Sequence, residues 1–173
     1  MSDMKLIRNV VEAALLVAGR PLSIDQLLQL FGDDDGRPAR DEIKATLEDL
    51  GTDFADKGYE LKQVSSGYRM QVREDMAPWV SRLWDEKPPK YSRALLETLS
   101  IIAYRQPITR GDIEGIRGVA VSSNIVRSLL EREWVRVVGH RDVPGKPALY
   151  ATTRLFLDYF NLVKLADLPP LNE

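Results

Sequence analysis

Residues able to do chemistry are thinly spread along this chain, and their spacing argues against most of the chemistry they suggest. Gly139 to Lys146 sets a glycine, a spacer and Gly-Lys after an apolar run, superficially a phosphate-cradling loop. The spacer is one residue too long, and Pro147 stands where such a loop needs a magnesium-binding hydroxyl, so nucleotide binding is not expected. His140 is the single histidine, which rules out a triad of imidazoles on a metal. No nucleophile or orienting partner can be assigned to it, so it reads as a solvated or hydrogen-bonded residue. Asp33-Asp34-Asp35-Gly36 lacks the alternating ligands and closing glutamate of a calcium loop and reads as an acidic turn. Acid pairs such as Asp41-Glu42 and Asp112/Glu114 are ordinary on solvated helix faces. The absence of cysteine removes disulfides, thiolate metal sites and cysteine nucleophiles. Neither an enzyme nor a cofactor or metal is expected.

What remains is surface, and the elements decide which surface. The 173 residues are 44% apolar and 29% charged, enough for one domain or two small ones with real cores. Lys5 and Arg8 interrupt the only candidate leader, and no apolar run is long enough to span a bilayer, which predicts a cytoplasmic chain with no membrane contact. Residues 1–76 carry 10 basic and 15 acidic side chains (net −5), whereas 77–173 carry 14 and 11 (net +3), so the halves differ in character.

Leu6, Ile7, Val10, Val11, Ala14, Leu15 and Ala18 recur at helical spacing and predict a helix ended by Gly19. Ser23 is placed to cap a second helix carrying Ile24, Leu27, Leu28 and Phe31, which Gly32 stops. Ile43, Leu47, Leu50 and Phe54 mark a third. Alternation around Ser65-Ser66-Gly67 predicts a hairpin. The order then restarts. Leu95, Leu96, Leu99, Ile102 and Ala103 form a helix, and Pro107-Ile108-Thr109 repeats Pro21-Leu22-Ser23 at an offset of 86 residues. Ser122 or Ser123 caps a helix with Ile125, Val126, Leu129 and Leu130, and Trp134–Val138 and Ala148–Thr152 flank a turn at Pro144-Gly145. A last apolar segment from Thr152-Thr153 to Leu165 predicts a terminal helix, stopped by Leu168-Pro169-Pro170-Leu171, which reads as an anchored tail.

The expected fold is α+β, mainly α: two tandem winged-helix domains, each three helices with a β-hairpin wing, plus a C-terminal helix. The boundaries are 1–84, a linker at 85–91 containing Pro88-Pro89, and 92–173.

Many winged helices bind DNA through the third helix, whose cations release phosphate counterions. Residues 41–57 carry six acids against Lys44 and Lys57, a net of −4, which disfavours that role in the first unit. In the second, Arg127 on the third helix and Arg141 and Lys146 in the wing are the candidate DNA contacts, partly offset by Glu131 and Glu133. A DNA-binding transcriptional regulator is therefore the alternative reading. Tyr104, Trp134, Tyr150, Phe156, Tyr159 and Phe160 argue instead for a protein surface, since aromatics with arginines are favoured there.

Leu96-Glu97-Thr98-Leu99-Ser100-Ile101-Ile102-Ala103-Tyr104-Arg105-Gln106-Pro107-Ile108-Thr109-Arg110, then Ile113 to Val119, closely resembles the segregation and condensation protein B family. The resemblance continues through Leu129 to Arg132, the wing from Val138 to Tyr150, Phe156 to Phe160, and Asp167 to Leu171. In the first half it rests on Val11 to Leu16, Gly19 to Ser23 and Tyr68-Arg69-Met70.

The resemblance implies a non-catalytic, cytoplasmic, nucleoid-associated subunit of the bacterial SMC–kleisin condensin. Such a subunit is a homodimer through its first domains and binds the kleisin, segregation and condensation protein A, through its second. It meets the SMC ATPase through that kleisin and DNA only indirectly. On that footing Tyr104, Arg110, Arg117, Tyr150, Phe156 and Phe160 are the expected partner-binding residues. The apolar breadth of the first helix nominates Leu6, Ile7 and Val10 for dimerisation.

Overall fold

The structure, a computed structural model, describes residues 4–32, 36–84 and 90–171. The acidic turn at 33–35 and the Pro88-Pro89 linker lie outside the described residues. The chain divides into two compact units, Met1–Lys87 with Asn161–Val163, and Pro88–Phe160 with Lys164–Glu173.

In the first unit, α1 (Met4–Ala18), α2 (Ile24–Gln29) and α3 (Arg40–Asp53) precede an antiparallel hairpin of β1 (Tyr59–Val64) and β2 (Gly67–Val72). A 3-10 turn at Glu74–Met76, a short helix α4 (Ala77–Val80) and a second turn at Ser81–Leu83 follow, none of them anticipated. Ile7, Val11 and Leu15 lie on one face of α1 and share a core with Leu27, Ile43, Leu47 and Leu50. Gly19 stops α1 because its φ of +61° is a left-handed turn that side-chain-bearing residues resist. Ser23 caps α2 in a reciprocal box: its hydroxyl accepts from Gln26 N–H at 3.2 Å, and Gln26 Oε1 accepts from Ser23 N–H at 2.9 Å.

The second unit comprises α5 (Arg93–Arg105), β3 (Ile108–Thr109), α6 (Arg110–Arg117), α7 (Ser123–Glu131), β4 (Val135–His140), β5 (Ala148–Thr152) and α8 (Arg154–Tyr159). Its sheet runs β3-β5-β4, all antiparallel. Ser122, not Ser123, caps α7. Strand β3 is too short to have shown as a periodicity, yet it explains the repeated triplet. Ile108 pairs with Tyr150 in this unit, and Leu22 pairs with Tyr68 in the other. In both, the aliphatic residue ties the start of the second helix to the wing and the hydroxyl after it caps that helix, Thr109 reciprocally with Asp112. Each unit thus packs three helices against a β-hairpin wing, two-stranded with a single bridge at Leu22 in the first and three-stranded in the second, the winged-helix arrangement.

One expectation is corrected. The terminal helix ends at Tyr159 and does not continue to Leu165. Phe160 instead packs against Phe156 and Trp134, with ring centroids 5.0 and 5.5 Å apart, and Asn161 turns the chain away at φ +57°. Farther along, the Tyr104 hydroxyl donates to the Pro169 carbonyl and fastens the tail to its own unit.

Candidate partner-binding surfaces

On α1, two apolar stripes run along the same helix. Ile7, Val11 and Leu15 fill the core, with Ile7 only 2% exposed. Leu6, Val10, Ala13 and Val17 recur at spacings of four, three and four residues and lie about 100° round the helix or more from that face. Leu6 is 56% and Val17 83% exposed. Ile7 therefore belongs to the core and is corrected out of the dimerisation set, because a residue cannot fill its own core and also meet a second chain. Leu6 and the half-buried Val10 stay on the outward stripe, which Ala13 and Val17 extend.

Farther along the first unit, Trp79, Leu83 and Trp84 are all exposed. Their segment was missed in the sequence because its helical turns are too short to give a periodicity. The one available signal was two tryptophans beside a proline-containing stretch.

In the second unit, several arginines serve its own loops. Arg110 donates from Nε to Glu114 at 3.1 Å, from Nη1 to Ser123 Oγ at 3.2 Å and from Nη2 to the Val121 carbonyl. Glu114 in turn accepts from Val121 N–H at 2.9 Å. The Val121 N–H, then Arg110, hold the Glu114 carboxyl below its usual range. This clamp closes the α6–α7 turn over the buried Val121 side chain, so Arg110 has a structural task at the site where partner binding was expected. Arg141 donates both Nη groups to Asp112, at 3.1 and 2.7 Å, joining the wing to the first turn of α6. Together with the Thr109 cap, this brings the Asp112 pKa down to about 2. Arg141 is therefore not a free phosphate contact. Arg127 on α7 and Lys146 in the wing turn are exposed.

Tyr150 is half-buried in the centre of the sheet, and Tyr104 is half-buried beside the tail. Phe156 is 4% exposed and is a core residue rather than a surface anchor. Phe160 and Tyr159 are exposed and share an aromatic cluster with Trp134 and Tyr91. The Arg132 guanidinium lies over Tyr91 and Trp134, 4.8 and 5.3 Å from their ring centroids. Tyr91, read in the sequence as linker, thus packs into the second unit.

Tyr91 also borders a groove of about 740 Å³ lined by Leu96, Ile101, Arg93, Glu97 and Arg117. Glu97 accepts from Arg93 Nε at 2.8 Å and from Arg117 Nη2 at 3.3 Å. Arg93 first, and Arg117 with it, hold its carboxyl below the usual range. The Arg117 side chain is 10% exposed, and its buried Nε has no hydrogen-bond partner among the described residues. Among the described residues no cluster of three or more His, Asp or Glu is placed to hold a metal, and no helix is long and apolar enough to cross a membrane.

The family model described as Segregation and condensation complex subunit ScpB matches residues 9–171, nearly the whole chain and both units. The chain belongs to this family. A relative named Segregation and condensation protein B homolog, from Coxiella burnetii, is 57% identical over 164 residues, covering 95% of this chain and 78% of its own length. Segregation and condensation protein B from Syntrophotalea carbinolica is 44% identical over 169 residues, covering 96% and 83%. Among solved structures, ScpB from Mycobacterium tuberculosis is 34% identical, with 94% of this chain and 99% of that one covered and a TM-score of 0.44. A crystal structure of a dimer of ScpB N-terminal domain complexed with ScpA peptide is 25% identical, with 47% and 98% covered and a TM-score of 0.42. The family description specifies a complex subunit.

Proposed function

We propose that this chain is a non-catalytic subunit of the SMC–kleisin condensin of bacteria. In this reading it works in the cytoplasm on the nucleoid, pairs with a second copy through the first unit, and binds the kleisin through the second, supporting chromosome condensation and segregation. The observation that carries the proposal is the family match across residues 9–171. Two surface features agree with it. The outward stripe of α1 is apolar and uncovered, as a self-complementary contact requires. The second unit presents exposed aromatics beside an apolar, arginine-bordered groove, the composition favoured at protein interfaces. On this reading Tyr104, Arg117, Tyr150 and Phe160 remain partner-facing candidates.

The test is size-exclusion chromatography with light scattering on the full chain, alone and with the middle region of its cognate kleisin, beside a DNA duplex. A dimer that takes up kleisin and not duplex is the expected result. A monomer that takes up duplex and no kleisin would return the chain to the regulator reading.

A further inference from the structure

The groove beside α5 is lined by more cations than acids. Two guanidinia, Arg93 and Arg117, face the single acid Glu97, so its lining carries a net positive charge. Arg93 is exposed and makes the shorter of the two bonds to Glu97, at 2.8 Å against 3.3 Å. Arg117 is nine-tenths buried with its Nε unsatisfied, although a guanidinium offers five N–H donors. A buried cation so thinly paired is unfavourable until an acceptor reaches it. The walls are not those of a simple anion site, because Leu96 is 39% exposed beside Ile101 and Tyr91 in a groove of about 740 Å³. A bare anion would leave that apolar surface wet, and a purely apolar segment would leave Arg117 short of an acceptor.

The geometry points to an acidic–apolar peptide segment of the kleisin as the occupant, with one carboxylate completing Arg117 and neighbouring apolar side chains covering Leu96, Ile101 and Tyr91. This rests on the reading that the chain binds a kleisin, and it adds where and by what chemistry. Glu97 becomes the competitor that the incoming carboxylate partly displaces.

Fluorescein-labelled peptides tiling the kleisin middle region, titrated with the full chain and read by anisotropy, test this. One acidic peptide is expected to bind. Glu97→Gln removes the competing charge and is expected to tighten that peptide, on the order of threefold to tenfold. Leu96→Asp is expected to weaken it by about tenfold or more while circular dichroism stays unchanged. If the wild type binds a peptide that Glu97→Gln weakens or leaves alone, the groove assignment falls and kleisin binding stands. If light scattering shows no uptake of any part of the kleisin, the underlying reading falls too. A Leu96→Asp chain that loses self-association instead makes the groove a contact between copies and overturns the proposal.

Discussion

Val17→Ala is the sharpest test of the outward stripe on α1, because Val17 is 83% exposed and contributes little to its own unit. The change removes two methylene equivalents, each worth ~0.8 kcal/mol when buried, so at this exposure about 1.3 kcal/mol per chain is available to a contact. A two-fold interface uses the residue twice, which makes the loss about 2.7 kcal/mol, or about 100-fold in the dimer dissociation constant. Alanine is also the better helix former, so the isolated unit should lose no stability. Ile7→Ala is the contrasting variant on the same helix. At 2% exposure it empties core volume and should cost about 2–4 kcal/mol of folding stability. Sedimentation equilibrium across a dilution series gives the first quantity and urea unfolding the second. If Val17→Ala leaves the dimer constant unchanged, the stripe is not the interface, whatever Ile7→Ala does.

Two further outcomes follow from the fold. A Cβ on Gly67, where φ is +143°, would lie 2.1 Å from the Leu22 carbonyl oxygen. Gly67→Ala must therefore open the paired 2.8 Å bonds between Leu22 and Tyr68 and should cost about 2–3 kcal/mol in urea unfolding. Gly51→Ala in α3, with nothing near its Cβ, should gain about 0.5–1 kcal/mol, and a shared sign would refute the argument. Asp112 gives a pH dependence. Its folded pKa of about 2 lies below the ordinary 3.8, so the unfolded chain binds the proton more readily. The stability it lends is complete above about pH 5, falls as the pH drops through 3.8 and is gone below about 2, while Arg141 stays charged throughout. In acid titrations followed by circular dichroism, Asp112→Asn should flatten the wild-type slope over that window, and an unchanged slope would sink the assignment.

The sequence made the three core helices of each unit, both hairpins and the tandem repeat legible because each leaves a periodic or capping signal, whereas α4 and its flanking turns leave none. Leu22 and Ile108 were visible as half of a repeated triplet, but their pairing with Tyr68 and Tyr150 depends on where the wing folds back. Ile7 and Leu6 show how coarse a stripe is: adjacent residues on a helix point about 100° apart, and only the elements packed on α1, α3 and the hairpin among them, decide which of the two is covered. The apolar run after Thr153 exceeded what one helix face needs, and it was read as a longer helix. The excess belongs to the aromatic cluster on Trp134, a residue nineteen positions upstream of Thr153 and outside any local window. Arginines were the least legible. A guanidinium looks alike in sequence whether it awaits a partner or closes a loop, and Arg110 could not be assigned without knowing that the Val121 carbonyl lies beside it.

That distinction also bounds what DNA can do here. Two cations at the end of the third helix and in the wing are already engaged: Arg132 is stacked on Tyr91 and Trp134, and Arg141 is joined to Asp112. Arg127 on α7, Arg136 on β4 and Lys146 in the wing turn are outward-facing cations of that surface. Three phosphate contacts give a slope of about −2.7 in log affinity against log salt, so a duplex should lose only about 40-fold between roughly 50 and 200 mM salt. A protein that reads DNA with six to ten contacts loses roughly a thousandfold or more over the same range. A measured slope steeper than about −5 per chain would mean that Arg141 leaves Asp112 and Arg132 leaves its rings to meet phosphate, and the structural roles assigned to both would have to be withdrawn.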